Sequence, residues 1–282
     1  MEGNRKPTQN YPEFKTISES SNLSEAVREN LKLILGEKLK NIRRDSNFSM
    51  LDVGSSDGGM SLPLATWLKS DFKNFRYTAI EPEKPGFIKL NERIQQEAIT
   101  YAQSHNLTVE QYLKTKSGEK ELFDFILFSH VFYHIPKDKW DRVIADSQRL
   151  LKPNGFIIVI LDSFEGRPAS ELADLITENK TRVDTLEFGD LYYAEDVEAL
   201  LKRKGIDYSV DKFPVHITIQ EGEQKLSDFA RHLAFLYRTF PEKILAKYKD
   251  RLEEFLGRIK RDDKYVLEDI NKVITFGRSN NH

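Results

Sequence analysis

The sequence predicts an α/β fold built on a doubly wound parallel sheet, and three observations lead to that prediction. Short apolar segments typical of buried strands alternate with segments whose apolar residues recur at helical spacing. The segment 156–161 (FIIVIL) is apolar throughout, as expected of a parallel strand that is covered on both faces. The chain has 282 residues, of which 39 % are hydrophobic, and is therefore long enough to bury a sizeable core.

Strands and helices alternate regularly as far as residue 161. Strands are predicted over residues 50–54, 75–80, 99–103, 123–129 and 156–161, with a turn over 152–155 (KPNG) before the last of them. Helices are predicted over residues 23–39, 61–68, 87–98, 108–113 and 140–151. Because the first helix precedes the sheet, we expect residues 1–45 to form a tail and an N-terminal helical cap.

The pattern is looser in the second half of the chain. Helices are predicted over residues 171–178, 194–204, 226–237 and 241–259, and strands over 206–219 and 272–276. Two helices between the last two strands are typical of an insertion. We therefore predict one domain over residues 46–282, with a C-terminal helical insertion at about 222–262 that covers the active site.

The composition excludes several classes of protein. Without cysteine the chain can form neither a disulfide, nor a thiolate nucleophile, nor a zinc site built from cysteines. Its 43 basic and 45 acidic residues leave a net charge of −2. The chain therefore lacks the excess of positive charge that is typical of proteins binding nucleic acid or a membrane surface. No apolar run approaches the roughly 20 residues that span a bilayer. We expect a cytoplasmic protein with neither a nucleic-acid nor a membrane partner.

A glycine turn follows the first predicted strand, in the sequence LDVGSSDGG (51–59). Glycines at such a junction let the backbone approach a ligand closely, and the next helix offers unpaired N–H groups at its start. A tight turn without a ligand is the alternative explanation. Glu81 directly follows the second strand, at the place where an acid accepts ribose hydroxyls in dinucleotide-binding folds. The two signals together favour a nucleoside-containing cofactor.

Two cofactors compete for this turn, a nicotinamide dinucleotide and S-adenosylmethionine. The dinucleotide fingerprint G-x-G-x-x-G is absent, because the turn has the sequence GSSDGG. Asp52 lies two positions before the first glycine, Gly54. A carboxylate there suits the ammonium group of a methionine moiety better than a pyrophosphate. The sequence therefore favours S-adenosylmethionine.

With these motifs the chain resembles the class I S-adenosylmethionine-dependent methyltransferases. Four motifs occur in the order of that family, with Ser56 in place of the middle glycine of the first: Asp52, Gly54 and Gly58; Glu81; residues 123–136 (FDFILFSHVFYHIP); and residues 149–160 (RLLKPNGFIIVI). The resemblance covers about residues 45–165. It implies a Rossmann-like seven-stranded sheet with helices on both faces and S-adenosyl-L-methionine as the cofactor.

The resemblance also implies which residues hold the cofactor. They lie at or just after the ends of the first four strands and are Asp52, Gly54, Ser56, Gly58, Glu81, Asn106, Thr108 and Ser129. Many family members place an acid after the third strand to bind adenine, whereas the corresponding stretch here, SHNLT (104–108), has none. Asn106 and Thr108 are the polar residues of that stretch which we assign to the cofactor.

A second, weaker resemblance is to the histamine N-methyltransferase type of small-molecule methyltransferases. It rests on the N-terminal helix, the EP after the second strand, the tyrosine in HVFYH, the stretch DLYYAEDVEALLKRKGIDY (190–208) and the late helical insertion. In that type the substrate is held between the N-terminal segment, the loop after the fourth strand and the insertion. The resemblance implies a small-molecule acceptor and favours an amine.

Three residues are candidates for catalysis: His130, Tyr133 and Glu19. His130 follows the fourth strand, where ligands bind in open α/β sheets, although a core histidine is the alternative. Tyr133 could stack on a cationic substrate. Glu19 could orient an ammonium group, although a solvated acid is the alternative. We predict no metal site, since His130 and His134 have no third ligand at a convincing spacing.

We therefore expect methyl transfer to a small molecule, with an amine favoured over a carboxylate or hydroxyl compound. A protein methyltransferase and a cofactor-binding protein without transferase activity are the remaining alternatives. The aromatic residues of the insertion, Phe229, Phe235, Tyr237 and Phe240, could line a substrate cage or belong to the core. We expect a monomer or a weak homodimer.

Overall fold

The computed structural model describes residues 23–116, 122–165, 192–222, 224–236 and 241–278. Within these residues the predicted alternation of strands and helices is confirmed, and all the strands belong to one sheet. The helices are α1 (Leu23–Leu39), α2 (Ser61–Asp71), α3 (Lys84–Gln96), α4 (Val109–Lys116), α5 (Trp140–Arg149), α6 (Ala194–Arg203), α7 (Lys225–Leu236) and α8 (Pro241–Ile259). The strands are β1 (Asn47–Val53), β2 (Asn74–Ile80), β3 (Ala102–His105), β4 (Phe123–Ser129), β5 (Leu151–Asp162), β6 (Tyr208–Gln220), β7 (Lys260–Arg261) and β8 (Lys264–Gly277).

The sheet has the strand order β3-β2-β1-β4-β5-β8-β6, and the short strand β7 pairs with β8 beside this path. The path itself has the seven strands that the sequence predicts, and β7 is an eighth strand of two residues. β1 pairs in parallel with β2 on one side and with β4 on the other. The carboxyl ends of these strands therefore meet at one edge, at the point where the strand order reverses and where open α/β sheets bind their ligands.

The described residues form two compact units, which share the strands β6 and β8. The larger unit contains the sheet from β1 to β5 and the helices packed on it. β1 is buried at every position after Asn47, and most of its residues are apolar, as expected of a strand covered on both faces. Phe132 and Trp140 pack edge to face at a centroid distance of 5.0 Å and fix the segment that follows β4.

The smaller unit has its own hydrophobic core, to which α7 and α8 contribute. Phe229 is fully buried and stacks on Phe255, with ring centroids 5.6 Å apart. The structure thus places Phe229 in the core and not in a cage. The side chain of Phe235 and the residues Tyr237 and Phe240 lie outside the described part. Both helices fall within the predicted insertion at 222–262, and its role in covering a substrate stays a prediction.

Several predicted elements have other bounds in the structure. Residues 152–155 do not form a turn, because they belong to the long strand β5. The third strand begins at Ala102 and not at residue 99, and the last strand begins at Lys264 and not at 272. The predicted helix at 171–178 lies outside the described residues.

A close backbone approach explains why the KPNG sequence stays in the sheet. The pairing of β4 with β5 shifts register between Phe123 and Phe125, next to this sequence. A Cβ atom on Gly155 would lie 2.7 Å from the carbonyl oxygen of Phe123 and 3.1 Å from the backbone nitrogen of Lys152. The glycine therefore lets the irregular part of β5 remain against β4, as glycines do at bulges.

None of the helices in the described ranges combines the length and the apolar character that crossing a membrane requires.

The close approach at Gly155 predicts a difference between two glycine substitutions. Gly155→Ala should lower the free energy of unfolding by roughly 1–3 kcal/mol, because the methyl group overlaps fixed backbone atoms. Gly36→Ala is the matched control, since Gly36 lies in α1 and a Cβ atom there would meet no heavy atom within 4 Å. It should raise the free energy of unfolding by up to about 1 kcal/mol. Urea denaturation of both variants measures the difference, and equal stabilities would contradict it.

Candidate cofactor site

The glycine turn, residues 54–60, lies at the carboxyl edge of the sheet between β1 and α2. Its first two N–H groups, those of Gly54 and Ser55, donate to the carbonyl oxygen of Ile80 at 2.8 and 3.0 Å. The turn is thereby fastened to the end of β2. Its final part is continuous with α2, since Leu62 N–H donates to the carbonyl oxygen of Gly58 at 2.9 Å.

Three residues of the turn adopt the left-handed backbone conformation. They are Gly54 (φ 71°), Ser56 (φ 52°) and Gly58 (φ 76°). Ser56 occupies the position at which the sequence departs from the glycine motif, so the turn keeps a glycine-like conformation with a serine. That conformation costs a residue with a Cβ roughly 1–2 kcal/mol, which other contacts must offset.

Glu81 supplies the contact that holds Ser56. Its carboxylate accepts the N–H of Ser56 at 2.7 Å on Oε2 and the N–H of Glu83 at 2.7 Å on Oε1. Burial raises the pKa of Glu81 to about 7, although the two backbone N–H groups act in the opposite direction. The residue predicted to bind a ribose therefore also fixes the middle of the turn.

Asp52 lies beneath the turn and not at the open edge. It is 1 % exposed, and its Oδ2 accepts the hydroxyl of Tyr77 at 2.8 Å. Burial raises the pKa of Asp52, and the nearby hydroxyls of Ser61 and Tyr77 act in the opposite direction. The structure thus brings Asp52 to the turn from below, in an internal network that the sequence did not predict.

Two glycines of the turn are required by packing. A Cβ on Gly58 would lie 2.5 Å from Cδ1 of Leu62 and 2.9 Å from Cδ1 of Leu90, and a Cβ on Gly54 would lie 2.6 Å from Cγ2 of Val131. Gly58 therefore allows α2 and α3 to pack closely around the turn. The contact at Gly54 places the segment after β4 directly against the turn.

The residues that follow β3 make local hydrogen bonds. Asn106 Nδ2 donates to the carbonyl oxygens of Glu81 and Pro82 at 2.8 and 2.9 Å. Thr108 and Gln111 form a reciprocal capping box at the start of α4, with each side chain accepting the backbone N–H of the other residue. Asn106 thus stands beside Glu81, whereas Thr108 caps a helix. Their contacts with the cofactor stay predictions.

The segment after β4 carries the candidate catalytic residues. Ser129 ends the strand and is half-buried. His130 is half-buried, adopts the left-handed conformation (φ 56°) and donates its N–H to the carbonyl oxygen of Ile160 at 2.9 Å. Its ring lies 6.0 Å from that of Tyr133, between centroids. His134 is exposed. Glu19 lies outside the described residues.

Two features of the site were missed by the sequence analysis. Arg93 on α3 reaches back to the turn and pairs with Asp57 at 3.2 Å, while Asp57 Oδ1 accepts the N–H of Gly59 at 2.9 Å. The start of α3 also lies close to the turn, since a Cβ on Gly86 would lie 3.4 Å from the carbonyl group of Ser56. The glycine in KPGF (84–87) was a signal for the close approach of α3 to the turn. The sequence contains no signal for the ion pair between Arg93 and Asp57.

The residues present fit an adenosine-containing cofactor. A carboxylate has about four lone-pair positions, of which Glu81 uses two for backbone N–H groups, so it can still accept ribose hydroxyls. The turn has no side chain at Gly54 or at Gly58. In the ranges that the structure describes, no group of three or more histidine or acidic residues is arranged to hold a metal ion.

The chain matches a family model described as a methyltransferase domain, over residues 20–208. This match covers more than half of the sequence. None of the curated proteins matches the chain.

Solved structures show the same fold at low sequence identity. A methyltransferase candidate from Bacillus halodurans is 14 % identical with a TM-score of 0.53, and the match covers 86 % of this chain and 97 % of that one. The YcgJ protein of Bacillus subtilis is 13 % identical with a TM-score of 0.50, over 87 % and 98 % of the two chains. The CMeT domain of citrinin polyketide synthase is 12 % identical with a TM-score of 0.52, over 89 % and 52 %.

These findings confirm the predicted Rossmann-like α/β fold and the predicted cofactor, S-adenosyl-L-methionine. The family match agrees with the left-handed turn after β1 and with the acid that follows β2. The chain therefore belongs to the methyltransferase domain family and is a class I S-adenosylmethionine-dependent methyltransferase.

Proposed function

We propose that this methyltransferase acts on a small molecule and that its preferred acceptor is an amine nitrogen. The observation that carries the proposal is His130, a histidine in a strained backbone conformation at the carboxyl end of β4, with the ring of Tyr133 beside it. Strained residues that the surrounding structure holds in place cluster at functional sites.

The cofactor is proposed to lie over the turn, with its ribose on Glu81. Glu81 and the turn are joined by the hydrogen bond to Ser56, so a ligand that contacts one also meets the other. Gly54 and Ser56 belong to this cofactor contact. Asp52 acts from beneath the turn, and Gly58 acts by allowing the close packing of α2 and α3.

Methyl transfer depends mainly on alignment. The bound cofactor supplies a methyl group on a sulfonium, and the acceptor atom must approach it in line with the bond to sulfur. Holding the two reactants in that geometry can contribute about 7–11 kcal/mol, so little covalent chemistry is required of the protein. The residues of this chain therefore have to bind, orient and exclude water.

An amine acceptor needs one further step, because only the neutral amine has a lone pair for attack. A histidine has an ordinary pKa near neutrality and can take up the proton. His130 is proposed for this role. The ring of Tyr133 offers an aromatic face that attracts the cationic form of the amine before it loses the proton.

The proposal competes with three others. A carboxylate acceptor is already ionised at neutral pH and needs no base, whereas a hydroxyl acceptor does. A protein as methyl acceptor is compatible with the same cofactor site. The near balance of 43 basic and 45 acidic residues supports a small molecule over a nucleic acid.

We also propose that the enzyme works in the cytoplasm, as a monomer or weak homodimer.

The raised pKa of Glu81 predicts that cofactor affinity depends on pH. Below its pKa of about 7 the carboxyl is mostly protonated, and above it the carboxylate accepts the ribose hydroxyls more strongly. The affinity for S-adenosylhomocysteine should therefore rise as the pH passes through about 7 and level off above it. Glu81→Gln should bind at least about tenfold more weakly at high pH, with no such rise. Calorimetric titrations at several pH values measure both.

Glu83→Gln provides the control for this profile. The charge of Glu83 contributes to the raised pKa of its neighbour Glu81, so removing it should move the rise in affinity to lower pH without abolishing it. An unchanged affinity in folded Glu81→Gln would contradict the placement of the ribose.

The amine proposal predicts the outcome of an acceptor screen. Methyl transfer should occur with small amines, at a rate that rises with pH as the base and the amine lose their protons. His130→Ala should lower kcat by about 10²–10⁴-fold, the usual contribution of a general base, and leave S-adenosylhomocysteine affinity close to that of the wild type. His134→Ala is the matched control, since His134 is exposed on the same segment, and should keep its activity. The assay compares amines, phenols, carboxylic acids and folded proteins.

Transfer only to carboxylic acids, or only to a folded protein, would overturn the amine proposal. Equal losses in His130→Ala and His134→Ala would remove His130 from the proposed role. Both results would leave the cofactor assignment unchanged.

A further inference from the structure

A tyrosine on β2 connects the two ends of the glycine turn. The hydroxyl of Tyr77 donates to Oδ2 of Asp52 at 2.8 Å, and it lies 3.1 Å from the hydroxyl of Ser61. Asp52 is the last residue but one of β1, before the turn, and Ser61 is the first residue of α2, after it. One phenol therefore bridges the residue that enters the turn and the residue that leaves it.

The register of the sheet explains why a tyrosine can make this bridge. Tyr77 lies opposite Met50, and Asp52 lies two residues further along β1, opposite Ala79. Residues two positions apart in a strand point to the same face, so the side chain of Tyr77 runs along that face towards Asp52. The length of the side chain carries its hydroxyl to the end of the strand, where α2 begins.

The direction of the hydrogen bonds follows from counting hydrogens. A phenol has one hydrogen, and that of Tyr77 is donated to Asp52. In the contact between the two hydroxyls Ser61 is therefore the donor and Tyr77 the acceptor. The resulting chain runs from Ser61 through Tyr77 to the carboxylate of Asp52, and each hydrogen in it is used once.

Burial makes the bridge costly to break. Asp52, Ser61 and Tyr77 are each 1 % exposed, so water cannot replace a lost partner without entering the core. In the described part of the chain no lysine or arginine forms an ion pair with Asp52. The buried carboxylate therefore depends on hydroxyl groups there for its hydrogen bonds. Without the phenol oxygen, the two ends of the turn lose their common partner.

We propose that Tyr77 is a positioning residue for cofactor binding, because its hydroxyl fixes the separation of the two ends of the glycine turn. The proposal rests on the placement of S-adenosylmethionine over this turn under the proposed function. A turn with fixed ends presents Ser56 to Glu81 in the geometry that the structure shows. Tyr77 itself is buried and acts on the cofactor through the turn.

Two single variants and their combination test this role. Tyr77→Phe removes only the bridging hydroxyl, and Ser61→Ala removes the donor at the far end. Titration with S-adenosylhomocysteine at pH 8, well below the melting temperature, should give a Kd at least about fivefold higher for each single variant. The double variant should bind about as weakly as the weaker single variant, because both substitutions break the same bridge.

A purely structural role for Tyr77 would give a different result. A substitution that only destabilises the fold lowers the melting temperature, yet a protein that is still almost entirely folded binds with unchanged Kd. Tyr248→Phe is the matched control, since Tyr248 is a buried tyrosine on α8 outside this network. Its Kd for S-adenosylhomocysteine should equal that of the wild type, whatever its melting temperature.

The outcomes separate this proposal from the one on which it rests. If the wild type does not bind S-adenosylhomocysteine, both proposals are wrong. If the wild type binds and Glu81→Gln weakens binding, but Tyr77→Phe and Ser61→Ala bind like the wild type, the role of Tyr77 is wrong and the cofactor placement stands. Should Tyr77→Phe not fold, Ser61→Ala alone decides by the same criterion.

Discussion

The site depends on one constraint, which is that a turn with three left-handed residues does not hold its shape by backbone preference alone. Ser56 has a Cβ and so favours other conformations. Glu81 offsets this by accepting the N–H of Ser56. Tyr77 bonds to Asp52 before the turn and contacts Ser61 after it. Two carboxylates thus hold the turn, one at the open edge and one in the interior.

The double use of Glu81 links the fold to the function. Its carboxylate is buried enough for its pKa to rise to about 7, yet it keeps lone pairs beyond those that the backbone occupies. The residue that stabilises the turn is therefore also the acceptor available to a ribose. The same edge carries His130, whose neighbour Val131 packs against Gly54. The residue proposed to contact the methyl acceptor is therefore held next to the turn proposed to contact the cofactor.

The sequence was sufficient to predict the parallel pairing of β1 to β5 and the position of the glycine turn and Glu81 at the ends of β1 and β2, because both follow from local patterns. The glycine turn after β1 and the acid after β2 are visible in short stretches. Tyr77 and Arg93 were not predicted, because their partners Asp52 and Asp57 lie on other elements and only the pairing of β1 with β2 and the packing of α3 bring them close. The KPNG stretch has turn composition but stays in β5 through a register shift.

A crystal structure with S-adenosylhomocysteine bound would show directly whether Glu81 holds both the turn and the ribose. We expect the ribose hydroxyls within hydrogen-bonding distance of the Glu81 carboxylate, with the N–H of Ser56 still donating to it. The bond between Tyr77 and Asp52 should also be retained. A ribose bound elsewhere, or a Glu81 side chain turned away from Ser56 in the complex, would contradict this double role of Glu81.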